Sequence, residues 1–166
     1  MSHAGSPRWP VWLVLLASAA LVSLPLPDSF TPFRPPWAAI AIIYWIMMWP
    51  RAVGIGSAWI LGLLLDILQG DLLGQNAFSL SVIGYLTMRF HLQIRIFPLW
   101  QLTMTVFALL AINAFILFWI DGVAGHPSAG FARWTQVITG GILWPPVMTI
   151  MDRIRERLQR HGPTFP

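Results

Sequence analysis

The chain has 166 residues, of which 57% are hydrophobic and 10% charged, with a formal net charge of +4 and no cysteine. Soluble domains carry about 25% charged residues, so this composition excludes a soluble globular enzyme, a nucleic-acid-binding module and a disordered tail. Every basic residue is an Arg set between apolar runs rather than in one patch, and the missing cysteines exclude a disulfide framework, a thiolate metal site and a Cys nucleophile.

Six stretches lack Asp, Glu, Lys and Arg: 9–27, 35–50, 52–65, 72–88, 96–120 and 134–151. A bilayer core of about 30 Å takes roughly 20 apolar residues. Lipid demands internally satisfied backbone, and no stretch alternates with period two, so helices are predicted rather than a barrel. The expected fold is an all-α polytopic membrane protein of about six transmembrane helices in one domain over 1–166. The spans are set near 9–26, 37–49, 53–68, 77–89, 97–120 and 131–151, followed by a tail at 152–166.

The first run contains Ala17-Ser18-Ala19, a superficial cleavage pattern, but stays apolar to Leu24, so it reads as a retained anchor. Runs two and three are separated by Pro50-Arg51, which predicts a tight hairpin of two short helices with that pair at its tip. Run four is diluted at its start by Gly74, Gln75 and Asn76. Most Trp residues lie near run ends, where an aromatic belt is expected, with Trp45 and Trp59 inside.

Six crossings place Arg8, Arg51, Arg89, Arg95, Arg153, Arg155, Arg157 and Arg160 on one side, and Arg34 and Arg133 on the other. Positive loops stay in the cytoplasm, so both termini are expected there. The tail from Met151 continues span six as a helix, and its basic face of Arg153, Arg155, Arg157 and Arg160 suits anionic lipid or a cytoplasmic protein.

Asp66 is the conspicuous polar residue, late in run three. It reads as a hydrated interfacial group, as a structural or partner anchor, or as a proton-transfer site. No acidic or His partner stands within another run, and Asp28, Asp71 and Asp121 fall in predicted outer loops. Gly54, Ala58, Gly62 and Asp66 recur every four residues, a small-residue stripe that serves internal packing or docks a partner's helix. Asp66, Gln69, Gln75, Asn76, Asn113, Thr135, Gln136 and Thr139 collect in the outer half, as a pocket or as interhelical hydrogen bonds. His3, His91, His126 and His161 are dispersed without ligand spacing, and no phosphate-binding loop or nucleophile–base set is present. Catalysis, cofactors and metals are not expected.

An ordered set of residues carries a family resemblance. It runs through Phe33-Arg34-Pro35-Pro36-Trp37, Tyr44-Trp45-Ile46, Pro50-Arg51-Ala52-Val53-Gly54-Ile55-Gly56, the Gly62 to Gly74 stretch with Asp66, Leu99-Trp100-Gln101, Phe118-Trp119 and Gly141-Ile142-Leu143-Trp144-Pro145. In this order and length, the chain resembles MreD, the small membrane component of the bacterial rod-shape (cell elongation) machinery. The resemblance implies a non-catalytic inner-membrane scaffold. Its implied partners are MreC, a bitopic periplasmic protein, and the MreB filament, with the RodA glycosyltransferase and a penicillin-binding transpeptidase in the same assembly. It also implies a distant likeness to the S components of vitamin transporters, six-helix proteins with an outward-facing pocket. A solute-binding subunit of that kind is therefore the alternative. On this reading Gly54, Ala58 and Gly62 form the face that meets MreC, with Asp66 and Asn113 as polar contacts, and Gly62→Leu is expected to weaken MreC co-purification while insertion is kept.

Overall fold

A computed structural model describes residues 9–23, 33–125 and 131–160. Expectations about Arg8, Asp28, His3, His126, His161, the end of span one at 24–26 and the tail at 161–166 lie outside the described residues. The described chain forms six helices: α1 (Trp9–Ser23), α2 (Trp37–Met48), α3 (Ile55–Gln69), α4 (Gln75–Ile96), α5 (Leu99–Ala124) and α6 (Phe131–Arg160). No strand occurs among the described residues. At 26 residues, α5 is about 39 Å long and is both long and apolar enough to cross a bilayer. Helices α1, α2 and α3 are shorter apolar segments of 12 to 15 residues.

Helix α2 is apolar all round, Trp-Ala-Ala-Ile-Ala-Ile-Ile-Tyr-Trp-Ile-Met-Met. A helix without a polar face has nothing to offer water and is buried on every side. Accordingly every residue from Ala38 to Met47 is buried, and α1, α4, α5 and α6 surround the helix. The expected hairpin is corrected in one respect. Pro50 and Arg51 do stand in the turn after α2, but α3 leaves it to pack along α4 and against α1. Helix α4 runs between α2 and α3 because Gly84 has no side chain: a Cβ there would lie 3.1 Å from Ile46 Cδ1 and 3.2 Å from Ala58 Cβ.

Other expectations shift for physical reasons. Helix α4 continues through Arg89 to Ile96 rather than breaking into a loop, and stops just before Pro98, whose ring disfavours helix at the preceding residue. Asp121, expected in a loop, is a buried residue of α5. Trp144, expected at a run end, is fully buried, whereas Trp59 is half exposed on α3. Helix α6 passes through Pro145 and Pro146 without interruption and carries on to Arg160.

The helices alternate in direction. At one end α3 and α5 finish while α4 and α6 begin, with Asp66 meeting Asn76 and Asp121 meeting Gln75 and Arg133. At the other end the last turns of α2 meet α6 through Tyr44 and Asp152.

Candidate functional site

The site begins with a helix terminus that its own sequence cannot cap. Gly74, at φ +100°, precedes α4 and brings no side chain, so the first N–H groups of α4 need acceptors from elsewhere. Asp66 supplies them from α3. Gly74 N–H and Asn76 N–H each donate to its carboxylate at 2.8 Å, Ala77 N–H at 3.4 Å, and the Asn76 side-chain amide at 3.0 Å. A carboxylate is favoured at a helix N-terminus by the helix dipole. That explains how Asp66 is a buried acid at 1% exposure.

Gly62, one turn earlier on the same face, makes room for this approach: a Cβ there would lie 2.3 Å from Ala77 Cα. Ala58 faces Gly84, and a Cβ on Gly54 would meet Met88 Cε at 3.4 Å. Ala58, Gly62 and Asp66 of the stripe therefore pack against α4 of the same chain, while Gly54 is half-buried.

Two more polar links tie the helices together nearby. Ser79 Oγ of α4 donates to Asn113 Oδ1 of α5 at 2.6 Å. Asp121 of α5 accepts from Gln75 Nε2 of α4 at 2.7 Å and pairs with Arg133 of α6 at 2.7 Å. Both acids are thus spent on helix termini and neighbours, an arrangement that pairs buried charge with hydrogen bonds.

Between these links lies a cavity of about 250 Å³. Its polar wall comprises Gln69, Gln75, Asn76, Asn113 and Gln136 together with Arg34, Asp71 and Arg133, over an apolar base that includes Ala38, Ala39, Leu65 and Leu80. The expected outer-half cluster is therefore brought together only in part. Asp66, Thr135 and Thr139 are not in the wall, while Arg34, Asp71 and Arg133 are. Arg34 also donates to Leu21 O at 2.8 Å, tying the approach to α2 onto α1. The signal for the two arginines was their place at the ends of apolar runs, where charge alone reads as topology.

The opposite end is sparser. Tyr44 Oη donates to Asp152 Oδ1 at 2.5 Å, Arg155 Nη2 stands 3.5 Å from the same oxygen, and Arg155 Nη1 lies 2.7 Å from Met48 Sδ. Arg153 and Arg157 are exposed, but Arg155 turns toward α2, so the expected basic face is split. Arg160 ends α6. Among the described residues no three His, Cys, Asp or Glu side chains gather as metal ligands.

The family model for the rod shape-determining protein MreD matches residues 6–154. A rod shape-determining protein MreD from Haemophilus influenzae is 28% identical over 158 residues, covering 93% of this chain and 96% of that protein. No solved structure matches.

Proposed function

The chain belongs to the MreD family of rod shape-determining membrane proteins, and from that premise we propose that it is a non-catalytic inner-membrane scaffold that receives MreC at its cavity. The cavity end faces the periplasm and both termini lie in the cytoplasm. The distribution of charge supports this sidedness: Arg51, Arg89, Arg153 and Arg157 are exposed at the end away from the cavity, and such an excess marks the cytoplasmic side. The MreB filament and anionic lipid then meet the basic end, while RodA and the transpeptidase share the assembly in the membrane.

One observation carries the placement of MreC. With Ala58 and Gly62 packed against α4, the polar cavity offers an open concave surface. A bitopic partner leaving the membrane on that side brings its juxtamembrane segment to the cavity mouth, where amide side chains can pair with its backbone. Gln69 and Gln136 line the cavity and take no part in the helix links described above. Replacing both with Leu is expected to lower MreC co-purification at least tenfold with an unchanged melting temperature. Undiminished co-purification overturns the assignment.

The second reading, a subunit of S-component type that binds a small solute from outside, rests on the same cavity. Thermal-shift screening of the purified protein separates the two, since a specific stabilising small molecule favours the solute.

A further inference from the structure

The last part of α6 combines a weak point, apolar packing through Val147, Met148 and Met151, two polar contacts with α2 and an incompletely satisfied charge. The weak point is Pro145-Pro146 within the helix. Two successive prolines withhold the N–H groups that the carbonyls of Gly141 and Ile142 would accept four residues earlier. Before the prolines α6 is fixed tightly. A Cβ on Gly140 would sit 2.7 Å from Leu110 Cδ1 and one on Gly141 2.8 Å from Phe107 Cδ2, so α5 and α6 touch backbone to side chain there. Beyond the prolines the polar hold on α2 is the hydroxyl of Tyr44 on Asp152 and the guanidinium of Arg155 against Met48.

That guanidinium is poorly served. Its Nη1 meets a thioether, a weak acceptor, its Nη2 is 3.5 Å from Asp152, and its Nε is buried with no hydrogen-bond partner. A charged group with unmet donors favours any arrangement that returns it to water or to anions. Asp152 has an alternative partner as well, since Arg155 lies one turn away on the same helix and shares the oxygen that Tyr44 holds.

We propose that residues 147–160 form a latched lever, hinged at Pro145-Pro146 and closed by Tyr44 on Asp152. Opening the lever carries Arg155 out from under α2 to join Arg153 and Arg157 on the exposed side. The force that opens it is an anionic lipid surface, which gains one more guanidinium contact in the open state. Since α2 also provides Ala38 and Ala39 to the cavity base, the clasp connects the cavity wall to the basic segment through one buried helix.

The test uses the full chain in nanodiscs. The protein has no cysteine, so Arg51→Cys and Glu156→Cys supply the only two spin-label sites, both at exposed positions. With Tyr44 intact and zwitterionic lipid, a major short distance with a minor long one is expected. Tyr44→Phe raises the ratio of long to short distances about fivefold, the effect of losing roughly 1 kcal/mol of hydrogen bond. Arg155→Met moves it the other way, because it removes the unsatisfied charge while keeping contact with Met48. Adding phosphatidylglycerol lengthens the distance in the parent protein but not in Arg155→Met. The proposal is overturned by a Tyr44→Phe distribution identical to the parent, by an Arg155→Met variant that opens as Tyr44→Phe does, or by a parent protein indifferent to anionic lipid.

Discussion

At the cavity end, α3, α4, α5 and α6 are joined by two buried carboxylates that each hold several partners. Asp66 serves three backbone N–H groups and an amide, and Asp121 holds a glutamine and an arginine from two different helices. At the tail end the polar links between α2 and α6 are one hydroxyl on one part-exposed carboxylate and a guanidinium against a thioether. The contrast shows that polar residues in an apolar bundle act in two ways. Where the shared acid is buried, as Asp66 and Asp121 are, removing it strands its partners. Where a partner is part-exposed, as Asp152 is at 30% of its side chain, water replaces what is lost.

Three substitutions probe this contrast, beginning with the largest effect. Gly62→Leu drives a side chain into the backbone of α4 at Ala77. It is expected to cost about 3 kcal/mol or more, seen as loss of a monodisperse peak in detergent. The reading that this substitution spares the fold and weakens only a partner contact thereby gives way to an internal one. A folded Gly62→Leu protein that lost MreC alone would restore the stripe as a docking face.

Asp66→Asn keeps the shape but gives up the charge and one acceptor oxygen. The expected loss is about 2 kcal/mol, measured as a lower melting temperature. An unchanged temperature would mean that the carboxylate is not what holds α4's first turn. Tyr44→Phe is expected to cost about 1 kcal/mol or less in overall stability, because Asp152 finds water and Arg155. If its melting shift exceeded that of Asp66→Asn, the two ends would not differ as described.

Much of the described bundle was legible in the sequence: the helix-only reading in its apolar runs, and the family in an ordered set of residues along the chain. What was not legible shares one cause, the identity of the neighbour. A period of four small residues says that something comes close at Gly62, but not that it is the first turn of α4, because the Gly-rich turn at 70–74 hides where the chain re-enters. Asp121 ended an apolar run on paper, yet burial tolerates it because Gln75 and Arg133 arrive from two other helices. Arg34 and Arg133 were counted as markers of sidedness, and only their packing places them in the cavity wall. Trp59 and Trp144 exchanged roles for the same reason: position along a helix does not say which face meets its neighbours.

The enclosure of α2 also bears on how such a chain is made. At 12 residues it is about 18 Å long, shorter than the roughly 30 Å of a bilayer core. It emerges during synthesis before α4, α5 and α6, three of the four helices that wrap it. A nascent α2 therefore lacks most of its final neighbours until α6, the final helix of the described chain, has been made.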